Sequence, residues 1–131
     1  MKKVFLSGAF DILHRGHVEL LKYAKSQGDW LTVAVDTDSR VKEKKGESRP
    51  FNNIEDRIFV LSAIFYVNEV FIFATDEELI KLVKNEQPDL LLAGSDWEGK
   101  KIVGGEYAKQ IVFFPRIEPY STTRILNEIC H

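Results

Sequence analysis

Apolar residues in this chain form short, nearly continuous runs, separated by segments in which they recur every three or four positions. Lys2 to Leu6 is the first run; Val18, Leu21 and Ala24, with Leu20 beside them, then fall at helical spacing. Leu31-Thr32-Val33-Ala34-Val35 is rich in β-branched residues and predicts a second strand, the helix between them ending near Gly28. A strand, helix, strand order closes as a right-handed crossover, which makes the two strands parallel and lays the helix on a sheet face.

The same alternation continues. Val70 to Phe73, Leu90 to Ala93 and Ile111 to Phe114 predict strands three to five. The wholly apolar Leu90-Leu91-Leu92 suits a central parallel strand buried on both faces. Asn53 caps a helix with Glu55 and Asp56 in its first turn and Ile54, Ile58, Leu61 and Phe65 as its apolar stripe. Thr75-Asp76-Glu77-Glu78 is a capping box that opens a helix carrying Leu79, Leu82 and Val83, and Pro88 ends that segment. Gly104-Gly105 reads as a plain turn, and Ser121 caps a last helix with Ile125, Leu126 and Ile129 on one side. The pattern predicts an α/β fold: a Rossmann-like, doubly wound, five-stranded parallel sheet of order 3-2-1-4-5 with helices on both faces.

A chain of 131 residues with 44% hydrophobic content is the size of one domain, spanning 1–131. The net charge of −2 gives no general pull toward nucleic acid or an anionic membrane, so any basic site is local and the expected ligand is small. No run approaches the roughly 18 apolar residues of a membrane span and no charged-then-apolar leader opens the chain, so a cytoplasmic protein is expected. The single cysteine, Cys130, cannot form an internal disulfide, which suits a reducing compartment.

Candidate chemistry concentrates where the first strand passes into the first helix, Gly8-Ala9-Phe10-Asp11-Ile12-Leu13-His14-Arg15-Gly16-His17. Gly8 and Gly16 permit a tight turn and close approach of a ligand. A helix starting near Gly16 or His17 aims its unsatisfied N–H groups and positive dipole end at the turn, beside both histidines, and so favours an anion. From Asp36 to Asn53 the periodicity disappears and Arg40, Lys42, Lys44, Lys45 and Arg49 accumulate. This basic loop follows the C-terminal end of a strand, the edge where open α/β sheets bind ligands. Gly94-Ser95-Asp96-Trp97-Glu98-Gly99-Lys100 emerges at the same edge, with Asp96 able to accept from a base or ribose and Trp97 offering a stacking face. Ser121 and Thr122 add hydroxyls and N–H groups at another helix start.

The two histidines in H-x-G-H after G-x-F-D resemble the nucleotidyltransferase superfamily that shares this signature, and more narrowly its cytidylyltransferase-like branch. Gly94 to Lys100 closely resembles the G-D-D-W-E-G-K of glycerol-3-phosphate cytidylyltransferases. Arg116-Ile117-Glu118-Pro119-Tyr120-Ser121-Thr122 is similar to the family's R-T-E-G-I-S-T, departing at Ile117, Pro119 and Tyr120. Lys45-Gly46-Glu47-Ser48-Arg49-Pro50-Phe51-Asn52 is similar instead to the K-G-x-x-R-P-x-N of heptose-phosphate adenylyltransferases.

The resemblance implies nucleotidyl transfer to a small phosphate monoester with release of pyrophosphate. An acceptor that is already anionic needs no general base, which agrees with the absence of a Ser-His-Asp set. His14, His17, Lys44, Lys45 and Arg116 are the catalytic candidates; Gly8, Ala9, Phe10, Asp11, Gly16, Gly94, Asp96, Trp97, Ser121 and Thr122 are the nucleotide-binding ones. Asp36 and Arg57 are assigned to the acceptor, Arg57 through an arginine that recurs in the family at the start of this helix. Magnesium is expected with the triphosphate, with Asp11 either orienting it or bracing the turn, and no metal site of protein residues is assigned. A homodimer is expected from the resemblance alone. For the nucleotide, CTP with glycerol 3-phosphate is preferred over ATP with a heptose 1-phosphate, because the cytidylyl-like segment follows the central strand at the presumed base pocket. A non-catalytic nucleotide-binding domain could use the same sheet but has no use for two histidines and a second basic signature. A class I aminoacyl-tRNA synthetase fragment, which also carries H-x-G-H, would need a basic RNA surface that this charge excludes.

Overall fold

A computed structural model describes residues 1–115 and 121–129. Five parallel strands, β1 (Lys3–Gly8), β2 (Trp30–Asp36), β3 (Glu69–Phe73), β4 (Leu90–Gly94) and β5 (Gln110–Phe114), form one sheet of order β3-β2-β1-β4-β5. The predicted order is therefore the observed one. Five helices accompany them: α1 (Arg15–Ser26), α2 (Asp38–Lys45), α3 (Ile54–Ser62), α4 (Asp76–Glu86) and α5 (Thr122–Ile129).

Strand alternation divides the core in two. Val4 and Leu6 of β1, Leu31, Val33 and Val35 of β2, and Leu90 and Leu92 of β4 share one face with Leu21 and Ala24 of α1 and Leu61 of α3. Phe5, Ala34 and Leu91 point the other way and pack with Leu79 and Val83 of α4, over which Ile102, Val103 and Tyr107 lie. Complete burial on both sides explains why the central runs lack polar alternation. Strands β1 and β4 are neighbours although helices and two other strands separate them in the chain, so their C-terminal ends mark the switch point of the sheet.

Two expectations need correction. The basic segment is not a structureless loop: Thr37 accepts from the Arg40 amide and caps α2, whose last turn carries Lys42, Lys44 and Lys45. Its charged sequence hides the period because few of its positions, Arg40 and Val41 among them, are buried. The stripe assigned to α3 also ends early. That helix stops at Ser62, Phe65 lies beyond it 92% exposed, and the position buried with Leu61 is Arg57.

Candidate active site

The turn between β1 and α1 is held by its own histidines. His14 is the N-cap of α1, its Nδ1 accepting from the Gly16 amide at 3.0 Å, while Nδ1 of His17 accepts from the His14 amide at 3.3 Å. The two rings stack with centroids 3.9 Å apart. With Nδ1 of each accepting, a neutral ring carries its proton on Nε2, which makes each histidine an N–H donor. Burial, helped by the neighbouring His14 and the positive charge of Lys45, pushes His17 down to about 3, so it is neutral near pH 7.

The backbone strain of this turn sits at Phe10 (φ 51°) and Ile12 (φ 49°), not at its glycines. Gly8 is required for a different reason: a Cβ there would lie 2.9 Å from the Phe10 ring, which is buried beneath the turn. What over-determines the strained backbone is a set of buried polar groups. Asp11 is 2% exposed and accepts from the amides of Phe51 at 2.6 Å and Asn52 at 3.0 Å, and its carbonyl accepts from the Thr122 hydroxyl at 2.6 Å. Arg57, also 2% exposed, donates to the Ala9 carbonyl (2.9 Å), the Asn52 carbonyl (3.0 Å) and the Asp38 carboxylate (2.7 Å). Asp11 therefore braces the turn, with both carboxylate oxygens engaged. Arg57 ties the turn to α2 and to the segment after it, so its assignment to the acceptor is corrected: every one of its bonding groups faces protein.

Beside the turn, at the C-terminal ends of β1, β2 and β4, opens a cavity of about 300 Å³. Gly8, Ala9, Asp36, Lys44, Lys45, Gly94 and Trp97 line it, over an apolar wall that includes Phe5, Leu79 and Leu91. Asp96 is exposed and does not line it, in contrast to its assigned role. Burial raises the Asp36 carboxyl above the usual carboxylate range, against the opposing pull of Arg40. Arg40, which sequence reasoning passed over, also lines the cavity: its Nε lies 3.5 Å from Asp36, its Nη2 2.6 Å from Asp76, and its guanidinium covers the Phe73 ring. Lys45 joins the cavity to the histidine turn, since it lines the one and its charge acts on His17 in the other.

Of the last segment, Arg116 lies outside the described residues, as do the family departures at 117, 119 and 120, and so does Cys130. The Ser121 hydroxyl accepts from the Arg124 amide at 3.0 Å, so it caps α5, and the Thr122 hydroxyl is engaged by Asp11. Both hydroxyls serve the protein, and what this helix start offers a ligand is its backbone N–H groups.

Histidine donors, a basic helix end and a second helix start around one sheet switch point are what phosphoryl chemistry needs. A cytidylyltransferase-like family model matches residues 5–128. The chain belongs to that family. Two curated relatives of this cytidylyltransferase-like chain are the bifunctional protein HldE of Aliarcobacter butzleri, 45% identical over 130 residues, and that of Campylobacter fetus, 44% identical over 126. The matches take in 98% and 96% of this chain, which spans 27% of the length of each relative. Among solved structures, the lipopolysaccharide core biosynthesis protein of Thermoplasma volcanium is 29% identical with a TM-score of 0.70, over 92% of this chain and 99% of that one. The chain is thus a nucleotidyltransferase of the cytidylyltransferase-like family. No helix among the described residues is long and apolar enough to cross a membrane.

Proposed function

We propose that this chain transfers AMP from ATP to a sugar 1-phosphate of the heptose class, releasing pyrophosphate and leaving an ADP-linked sugar. An oxygen of the acceptor phosphate attacks the α-phosphorus, and the bond from that phosphorus to the bridging oxygen of the β-phosphate breaks. His14 and His17 donate from Nε2 to the α-phosphoryl oxygens as charge grows there, and a neutral His17 does so without a proton to exchange. Lys44 and Lys45 neutralise the phosphates from the end of α2. Arg116 belongs with them by its motif. Asp36 and Arg40, side by side on the cavity wall, are a paired acceptor and donor suited to neighbouring sugar hydroxyls, and the apolar wall suits the C–H face of a ring.

The observation that carries the adenylyl reading is the segment from Lys45 to Asn52. It has the adenylyltransferase wording, and its backbone is bonded into the catalytic turn through Asp11 and Arg57. Magnesium travels with the triphosphate in this proposal: both oxygens of the Asp11 carboxylate are engaged, and no His, Cys, Asp and Glu cluster suited to a metal occurs among the described residues. A cytoplasmic homodimer completes the proposal, its partner face being the β3 edge, where Phe59 (80%), Phe65 (92%) and Ile72 (51%) are exposed. Sedimentation at micromolar concentration tests the dimer. Mass-spectrometric detection of an ADP-sugar from ATP and heptose 1-phosphate tests the activity; nucleotide binding without product would return the chain to the non-catalytic reading.

A further inference from the structure

Three arginines are buried among the described residues, and they are not alike. Arg57 is paired with the Asp38 carboxylate at 2.7 Å, and Arg40 lies between Asp36 at 3.5 Å and Asp76 at 2.6 Å. Arg49 is 8% exposed and has no carboxylate within ion-pair distance among the described residues. Its Nη1 donates to the Thr123 hydroxyl at 3.3 Å, and its Nε, like that of Arg40, is buried with no hydrogen-bond partner, but Arg40 has carboxylates beside it and Arg49 has none among the described residues. The Asp11 carboxylate accepts from the Phe51 and Asn52 amides and forms no ion pair with Arg49.

A buried guanidinium without an anion is costly, and the cost falls only when an anion arrives. The surroundings of Arg49 match that need. Its contact with Thr123 aims it at the first turn of α5, an eight-residue helix whose N–H groups and dipole favour negative charge. A second cation lies close by: burial and the charge of Arg49 together hold Lys45 below the usual lysine range. Lys45 in turn acts on His17, so a linear polyphosphate running from the histidine turn to α5 would pass Lys45 and finish at Arg49.

We infer that Arg49 is a pyrophosphate-binding residue, its uncompensated guanidinium gripping the β- and γ-phosphates of the nucleotide together with Lys45 and the N–H groups that open α5. The inference rests on the nucleotidyl-transfer reading but not on which base or acceptor is used. Arg49 thereby joins the site as the member that holds the leaving group, and the bond from the α-phosphorus breaks toward it.

The test uses the whole chain and inorganic pyrophosphate, by calorimetry and by thermal melting. Wild type is expected to bind pyrophosphate and to melt higher in its presence. Arg49→Met should bind it roughly 10–100-fold more weakly, the loss of a charge-assisted contact, while melting without pyrophosphate no lower than wild type. Arg49→Lys, which keeps the charge and loses the fork, should fall between the two in affinity. Equal pyrophosphate affinity in wild type and Arg49→Met would overturn the inference while leaving the proposed activity standing. So would an Arg49→Met protein that fails to fold, because the guanidinium would then be a structural support. Loss of pyrophosphate binding in a variant of a chain that proves inactive toward heptose 1-phosphate would uphold Arg49 and overturn only the substrate.

Discussion

The two segments that carry opposite family wording, Lys45 to Asn52 and Gly94 to Lys100, differ in how they are joined to the site. The first is bonded inward at successive positions: Arg49 to Thr123, the Phe51 and Asn52 amides to Asp11, and the Asn52 carbonyl to Arg57. The second is a 3-10 turn over Ser95–Trp97 followed by Gly99 at φ 82°, in which Asp96, Trp97, Glu98 and Lys100 are all exposed. Trp97 touches the cavity and the Lys100 ammonium lies over its ring, but among the described residues no side-chain hydrogen bond ties the turn to the core. Wording in an exposed turn is set mainly by turn chemistry, which many proteins share. Wording in a segment whose polar groups brace a strained turn is set by that turn, and it is the better witness to function.

The largest effect that could break this contrast is on Arg57. Arg57→Met removes three buried donors and leaves the Ala9 and Asn52 carbonyls without them. Denaturant titration should show a loss of about 3–5 kcal/mol, a large part of the stability of a domain this size. A loss under about 1 kcal/mol would mean that the inward bonds do not hold the turn. Next come the histidines. His14→Ala or His17→Ala should lower steady-state turnover by roughly 10²–10³ and cost about 1 kcal/mol of stability as a lost cap; near wild-type turnover would reduce either ring to a cap.

Acid sharpens the same point. The His17 ring takes its proton near pH 3 when folded and near 6.5 when unfolded, so between those values the unfolded chain holds more protons and stability rises with pH. Acidification through that window should therefore weaken the fold by an amount on the order of a few kcal/mol, and His17→Asn should flatten the dependence. Asp36 gives the opposite sign. Its raised carboxyl is more stable protonated, so its contribution is lost as pH rises, and Asp36→Asn should melt slightly higher at neutral pH while raising KM for the acceptor. The smallest effect belongs to the exposed turn: Asp96→Ala should move stability by no more than about 0.5 kcal/mol and leave nucleotide preference unchanged. A reversal of preference would restore Gly94 to Lys100 as the base reader.

Much of this was legible in the chain. Apolar runs and helical spacing gave five strands, β1, β2 and β4 most plainly, because central parallel strands buried on both faces cannot disguise themselves, and the order expected for a doubly wound sheet is the observed one. The histidine pair, Asp36, Lys44 and Lys45 were readable because their spacing relative to strand ends is local. The roles of Arg40, Arg49 and Arg57 were not, since a buried arginine and a surface arginine look the same until the tertiary fold shows what faces them. Helix α2 was missed because its exposed face is almost entirely charged, and Phe65 was misplaced because its helix ends at Ser62. The preference for CTP rested on position: the exposed turn was credited with the base and the bonded segment with the phosphates alone, whereas the proposed adenylyl reading gives more weight to the bonded segment.

Pyrophosphate release measured for ATP, CTP, GTP and UTP, each against heptose 1-phosphate and glycerol 3-phosphate, tests the central claim most directly. Release with ATP and heptose 1-phosphate, far above every other pairing, is the predicted result. Release with CTP and glycerol 3-phosphate, and none with ATP, would contradict it.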